Sequence, residues 1–102
     1  MPKTARLILR EVALADIDAI DRFSVERFGS EVADAYLRGL QATLDKIADY
    51  PLSAPKREEF GAGTHCKVYR SHRILYEINE SGDAVVLRIL HHSRNVSPAL
   101  NP

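Results

Sequence analysis

The sequence has 102 residues, of which 45% are apolar and 27% charged, and this composition suits one soluble domain with its own core. Its 14 basic and 14 acidic residues give a net charge of zero, which argues against a general nucleic-acid-binding protein, since such proteins are usually basic. The single cysteine excludes an intrachain disulfide, and no apolar run is long enough for a signal peptide or a membrane span, so we expect a reduced, cytoplasmic protein.

The first half of the chain predicts one strand and two helices. Residues 5–9 (ARLIL) read as a strand, and from about Ala13 apolar residues recur at helical spacing. The stripe of the first helix is Leu14, Ile17, Ile20, Ser24 and Phe28, and that of the second is Ala33, Tyr36, Leu37, Leu40, Leu44 and Ile47. Gly29 is a natural stop between the helices, Ser30 is the expected cap of the second, and Pro51 ends it.

The second half of the chain switches to short strands. Residues 51–63 contain two prolines and two glycines and predict a loop, after which strands are expected at 65–70, 73–78 and 84–92. Their short connections indicate an antiparallel meander. Ile74, Tyr76 and Ile78 are assigned to the face of the central strand that contacts the helices.

The predicted fold class is therefore α+β. An N-terminal strand is followed by an antiparallel helical hairpin packed on an antiparallel β-sheet, in the order β-α-α-β-β-β. A single domain covers residues 1–102, with an ordered core at about 5–96.

Two adjacent histidines at the end of the last strand are the first candidate site. On a strand, His91 and His92 point to opposite faces, which argues against a shared metal ion. Two interpretations remain for them. One imidazole is half-buried and the other exposed, or one of them supplies a proton or a contact to phosphate.

Basic residues gather near the same end of the predicted sheet. The start of the 73–78 strand lies beside the end of the 84–92 strand, so Arg73 and Arg94 are expected to be close, with Lys67 or Arg70 nearby. Such a cluster predicts either an anion site or an ordinary solvated sheet edge. Cys66 lacks an orienting partner and is interpreted as a small core residue.

Three aromatic residues lie off the tightest helical stripes. Phe23, Tyr36 and Phe60 either complete the edge of the core or border an apolar groove where a partner helix or extended peptide docks. Both interpretations stay open at this point.

The sequence resembles the ParE toxins of the ParE/RelE superfamily over residues 5 to about 96. The run ADIDAIDRFSVERFGSEVADAYLRGLQATLDKIADYP is similar to the helical hairpin of that family, YRSHRILYEI to its central strand, and VVLRILHHSRN to its last strand. The matching hairpin positions are Asp16, Ile20, Phe28, Gly29, Ala33, Tyr36, Leu37, Leu40, Leu44, Ala48 and Pro51.

This resemblance implies the toxin of a type II toxin–antitoxin system, without cofactor, metal or catalytic site of its own. The implied partners are a ParD-like antitoxin that wraps the hairpin and the sheet, and DNA gyrase as the target. Contact with DNA would be indirect, through the antitoxin, and no membrane is involved. We assign Arg73, His91, His92 and Arg94 to the surface that faces the target, and Phe23, Tyr36 and Leu40, with the sheet edge, to the antitoxin.

Two alternatives come from the same superfamily. The RelE branch cleaves mRNA on the ribosome, and Arg73, Arg94 and Lys67 resemble its basic residues. However, no tyrosine follows Arg94, and the neutral net charge suits a ribosomal target poorly. The other alternative is a member that has lost toxicity and only binds its antitoxin.

Overall fold

The computed structural model describes residues 6–93 and contains the predicted elements in the predicted order. They are β1 (Leu7–Leu9), α1 (Glu11–Phe28), α2 (Ser30–Asp49), β2 (His65–Tyr69), β3 (His72–Ile78) and β4 (Ala84–His91). The α+β prediction is thereby confirmed. Within residues 6–93, no helix is both long and apolar enough to cross a membrane.

The four strands form a mixed sheet in the order β1-β4-β3-β2. Strands β2, β3 and β4 make the antiparallel meander that was expected. The N-terminal strand, whose pairing the sequence did not specify, makes the sheet mixed, because Leu7–Leu9 run parallel to Ala84–Val86. Parallel pairing needs a long crossover connection, and the helical hairpin with the following strands provides one.

Gly29 separates the two helices. Its φ of 89° lies in the region that glycine adopts without strain, and its N–H donates to the Val25 carbonyl oxygen at 2.9 Å. The expected cap at Ser30 is wrong by one position: Ser30 is already the first residue of α2, and Gly29 is the cap. A single residue therefore connects the two helices, which pack side by side.

The main core lies between α2 and one face of the sheet. The predicted stripe of α2 is confirmed, since Ala33, Leu40, Leu44 and Ile47 are buried and Tyr36 and Leu37 are partly buried. Ile74 and Tyr76 face them from β3, fully buried. Each large apolar side chain buried in this way contributes about 1.5–3 kcal/mol to folding.

The predicted stripe of α1 is only partly correct. Its buried residues are Ala13, Ile20 and Ser24, whereas Leu14 and Phe28 are 50% and 59% exposed. The small side chains of Ala13 and Ser24 face inward, which lets α1 approach its neighbours closely. As a consequence α1 turns part of its apolar surface outward.

A second, smaller cluster covers the opposite face of the sheet. It consists of Phe60, Cys66, Leu75 and Leu90. Phe60 arrives from the 51–63 segment, which contains two short 3₁₀ turns and is bridged to β2 through Lys56 and His65. The interpretation of Cys66 as a core residue is confirmed, and burial raises the pKa of its thiol.

Candidate functional site

An apolar groove runs between the second half of α1, the start of α2 and the end of the sheet where β3 begins and β4 ends. It consists of two adjoining pockets of about 270 and 230 Å³. Phe23, His72 and His91 line both pockets and so mark its middle. The remaining lining residues are Asp16, Ala19, Ile20, Ser24, Phe28, Val32, Tyr36, Ser71, Ile89 and Leu90.

The outer wall of the groove is apolar but open to solvent. Phe23, Phe28 and Val32 are 55%, 59% and 52% exposed. Their exposure follows from the turn of α1 toward its small residues and from the tight connection at Gly29, which brings the start of α2 beside the end of α1. Three large apolar side chains exposed together at a concave surface are typical of a site where a protein partner binds.

The floor of the groove is a hydrogen-bonded polar network centred on Tyr36. Its hydroxyl lies 2.7 Å from Nδ1 of His72 and accepts the Ser71 N–H at 3.3 Å. The Tyr69 hydroxyl donates to the Tyr36 carbonyl oxygen at 2.8 Å, and the two tyrosine rings meet edge to face. Helix α2 is therefore fixed to the β2–β3 hairpin by contacts that also shape the groove.

The protonation states of this network are set mainly by burial. Burial raises the pKa of the Tyr36 hydroxyl, so that the phenol keeps its proton. Burial also lowers the pKa of His72, and the neighbouring His91 and His92 lower it further. A protonated phenol and a neutral imidazole therefore share the hydrogen bond between the Tyr36 hydroxyl and Nδ1 of His72, with no net charge on either ring.

Three imidazoles lie together at the sheet end of the groove. The His91 ring meets the His72 ring edge-on at 5.4 Å between centroids and stacks on the His92 ring at 4.5 Å. The prediction that His91 and His92 point to opposite faces is wrong, because β4 ends at His91 and His92 already belongs to a turn. Residues 6–93 nevertheless contain no group of three His, Cys, Asp or Glu side chains arranged to hold a metal ion.

An ion pair fixes the position of α1 against β4. The Asp16 carboxylate accepts two hydrogen bonds from Arg88, at 2.9 and 3.0 Å, and a third from the Ile89 N–H at 2.9 Å. The pair is largely buried, with side-chain exposures of 14% and 29%. Fork-shaped pairing of this kind is geometrically specific and keeps the α1 wall at its distance from the sheet.

The structure separates the residues that were assigned to the target. His91 lines the groove and His92 stacks on it, whereas Arg73 contacts the cluster on the other face, with its guanidinium carbon 5.7 Å from the centre of the Phe60 ring. The reason is the alternation along the strands, because Arg73 is the register partner of Leu90 and not of His91. Arg94 lies outside the described residues, so its predicted proximity to Arg73 stays a prediction.

The residues assigned to the antitoxin also divide. Phe23 and Tyr36 line the groove, as expected for a binding surface. Leu40 does not lie on the outer hairpin, because it faces the sheet and is only 2% exposed. Phe60 completes a core edge and is 4% exposed.

Several residues of the groove were missed in the sequence. His72 lies just before the strand predicted at 73–78, although it is the first residue of β3, and Val32 lies between the predicted stripes. The pair of Asp16 and Arg88 spans 72 positions, and nothing in the spacing of the chain links them. Phe23 and Phe28 were the residues from which the groove could have been predicted. They are large aromatic residues on α1, whereas the helix packs against its neighbours mainly through small residues.

The sequence of the chain is similar to those of known proteins over most of its length. Residues 7–96 match the family described as ParE toxin of type II toxin-antitoxin system, parDE. A protein named Toxin ParE1 from Caulobacter vibrioides is 36% identical over 81% of this chain and 84% of its own length. A Toxin ParE1 from Mycobacterium tuberculosis is 29% identical over 91% of this chain and 95% of its own length.

Two solved structures share the architecture. One is described as the chromosomal ParDE TA system from P. aeruginosa and aligns with a TM-score of 0.76 at 18% identity, over 86% of this chain and 96% of that one. The toxin–antitoxin complex RelBE2 from Mycobacterium tuberculosis aligns with a TM-score of 0.60 at 18% identity, over 92% of this chain and 98% of that one. With the match of the family over most of the chain, the protein belongs to the ParE toxin family of type II toxin–antitoxin systems.

Proposed function

We propose that the chain is a toxin that acts by binding a protein target, and that an antitoxin silences it by covering the groove. The observation that carries the proposal is the joint exposure of Phe23, Phe28 and Val32 at a concave surface. Burying three such side chains against a partner contributes several kcal/mol, at about 25 cal/mol per Å² of apolar area. ParDE and RelBE2, the two structurally similar systems, are toxin–antitoxin systems by their descriptions, which supports an antitoxin partner here.

The proposed target is DNA gyrase in the cytoplasm. This part of the proposal rests on membership of the ParE family, for which inhibition of gyrase was the expectation from resemblance. The proposed mechanism is inhibition by contact, without catalysis, cofactor or metal, and DNA is reached only through the antitoxin.

Expression of the chain without its partner tests the target. Growth arrest with DNA breaks and intact mRNA supports gyrase inhibition, and purified chain should then inhibit supercoiling by purified gyrase. Ribosome-dependent mRNA cleavage would contradict the proposal and favour a RelE-like ribonuclease. Normal growth at a good yield of folded protein would indicate a non-toxic module that only binds its antitoxin.

Co-expression with the protein encoded by the neighbouring reading frame tests the antitoxin. We expect a stable complex whose affinity falls about tenfold or more in Phe23→Ser, since a central apolar contact residue is lost. Leu52→Ser is the matched control, because Leu52 is 79% exposed and lies outside the groove. Equal binding by both variants would show that the antitoxin covers another surface.

A further inference from the structure

The chain leaves β4 at the edge of the groove. If the strand continued, the His92 side chain would point away from that of His91, but the two rings stack with 4.5 Å between their centroids. The Ser93 N–H donates to Nδ1 of His91 at 3.1 Å, and the His92 N–H donates to the Ser71 carbonyl oxygen at 2.8 Å. His91 and Ser71 both line the groove. The last described residues are therefore turned toward the groove and held against it.

The sequence continues from this point with residues 94–102 (RNVSPALNP), which lie outside the described residues. After Arg94 they form the longest stretch of the sequence without a charged residue, and this stretch contains the apolar residues Val96 and Leu100. Pro98 disfavours a helix and removes one N–H that would need a hydrogen-bond acceptor. This composition suits an extended segment that covers an apolar surface.

The groove lies within reach of this segment. An extended chain spans about 3.3 Å per residue, so Leu100 lies up to about 23 Å along the chain from residue 93. The distance to be covered is much shorter, because His91 lines the same pocket of about 230 Å³ as Phe23, Phe28 and Val32. The segment can therefore reach the exposed apolar wall without any change in β4.

The charged groups at the groove accept an uncharged occupant without losing a partner. Asp16 is the one carboxylate among the described lining residues, and it is bound by Arg88 and by the Ile89 N–H. The Arg27 guanidinium lies at the rim, 5.5 Å from the centre of the Phe23 ring, and its side chain is exposed to water. Covering the apolar wall with an uncharged segment therefore buries no unpaired charge.

We propose that residues 94–102 fold back over the groove of their own chain, in exchange with an open form, so that Val96 and Leu100 cover Phe23 and Phe28. Attachment to β4 gives the segment a millimolar effective concentration at the groove, so weak docking is sufficient. Any other occupant binds only the open form, and its apparent affinity falls in proportion to the fraction of open molecules. The inference goes beyond the proposed function, because it concerns the free chain and holds whichever protein binds the groove.

A tryptophan reporter tests the contact, because the sequence contains no tryptophan. We expect Leu100→Trp to emit at a shorter wavelength, and to be quenched less by acrylamide, than Leu52→Trp, which places the ring at a position that is 79% exposed. Adding Phe23→Ser to Leu100→Trp should move the emission to longer wavelength and increase the quenching. Urea unfolding of each variant shows that it is folded under the conditions of the measurement.

Three results of this experiment would overturn the proposal. The first is an emission of Leu100→Trp equal to that of Leu52→Trp. The second is a short-wavelength emission that Phe23→Ser leaves unchanged, because the segment would then lie on another surface. The third is a shift that grows with protein concentration, because the segment would then enter the groove of a second copy.

A second measurement uses the segment without an added aromatic ring. The full-length double variant Val96→Ser/Leu100→Ser should bind the apolar dye 8-anilinonaphthalene-1-sulfonate about three- to tenfold more tightly than the native chain, because more molecules have an open groove. Adding Phe23→Ser should remove this gain. Asn95→Ser/Asn101→Ser is the matched control and should bind the dye as the native chain does. Equal dye binding by the native chain and Val96→Ser/Leu100→Ser would contradict the proposal.

Discussion

Some residues of this domain cannot be replaced by larger ones, because neighbouring atoms occupy the space that a larger side chain would need. Gly39, in the middle of α2, is the clearest case, because an added Cβ would overlap the Tyr69 hydroxyl and lie 2.9 Å from its Cζ atom. Glycine inside a helix is normally unfavourable by about 1 kcal/mol. Here it allows the Tyr69 ring to lie against the helix backbone, so that the Tyr69 hydroxyl donates to the Tyr36 carbonyl oxygen.

Substitution of Gly39 by alanine should therefore lower stability despite the better helix propensity. We expect a loss of about 1–3 kcal/mol in the free energy of unfolding, measured by urea denaturation, because the Tyr69 ring must shift. In a Tyr69→Ser background the same change should be stabilising, since only the propensity remains. An identical effect in both backgrounds would show that Tyr69 is not the cause.

Asp16→Ala should be among the most destabilising changes on α1. It leaves the Arg88 guanidinium and the Ile89 N–H without their acceptor in a largely buried place, with an expected loss of about 2–4 kcal/mol. The exposed pair of Arg10 and Glu77, at 3.7 Å, is the control, and Glu77→Gln should change stability by less than about 0.5 kcal/mol. Urea denaturation of both variants measures the difference, and comparable losses would contradict this account.

At the scale of elements, the groove depends on how α2 is joined to the β2–β3 hairpin. The two-residue connection of that hairpin contains Arg70 with a φ of 49°, a left-handed conformation that side chains other than glycine rarely adopt. The next residue, Ser71, donates its N–H to the Tyr36 hydroxyl, and Nδ1 of His72 is hydrogen-bonded to the same hydroxyl. The hairpin turn and the helix thus constrain each other through one tyrosine.

Protonation of His72 should loosen this junction. Because the pKa of His72 in the folded protein is lowered by burial and by His91 and His92, the unfolded chain takes up the proton first as the pH falls. Neutral His72 therefore contributes fully to the free energy of unfolding above about pH 6.5, the ordinary pKa of histidine. This contribution decreases as the pH falls below that value. Urea denaturation from pH 7.5 to 5.5 should show a steeper decline for the native protein than for His72→Gln. Parallel curves would show that His72 is not responsible.

At the scale of the whole molecule, zero net charge and an exposed apolar surface together lower the solubility of the free chain. The chain carries equal numbers of basic and acidic residues and exposes Phe23, Phe28 and Val32 next to one another. Proteins near zero net charge lack the mutual repulsion that keeps apolar surfaces apart. We therefore expect the free chain to associate through this apolar surface, either with a partner protein or with a second copy of itself.

Solubility of the free chain should be lowest near pH 7 and low salt, and should increase on either side. Phe28→Ser should raise it at pH 7 without changing the free energy of unfolding, because the side chain is exposed in the free chain. Light scattering against concentration measures the effect, and Val68→Ser, an equally exposed apolar residue on β2, serves as the control. If Val68→Ser improves solubility as much, association is not specific to the groove.

The sequence predicted most of the fold and only part of the groove. Periodicity located the stripe of α2 and the face of β3 that carries Ile74 and Tyr76, because burial repeats with the geometry of each element. It misplaced Leu14 and Phe28, since α1 buries Ala13, Ile20 and Ser24 instead and is joined to β4 by Asp16 and Arg88, a contact that only the tertiary structure forms. The sequence also led us to assign Leu40 to the outer surface of the hairpin, although it faces the sheet. The periodicity of a helix shows which residues share a face, but not which neighbouring element covers that face.

The pairing of β1 with β4 has a consequence for synthesis. Ile8 lies beside Val85, so the first strand to leave the ribosome finds its neighbour only after 77 further residues have been translated. Strand β4 is also flanked by both β1 and β3, and the groove uses its last residue, His91. Contacts so distant in sequence form late, after the local helices. A nascent chain would thus carry the residues of the helical hairpin before the strand that completes the groove has been translated.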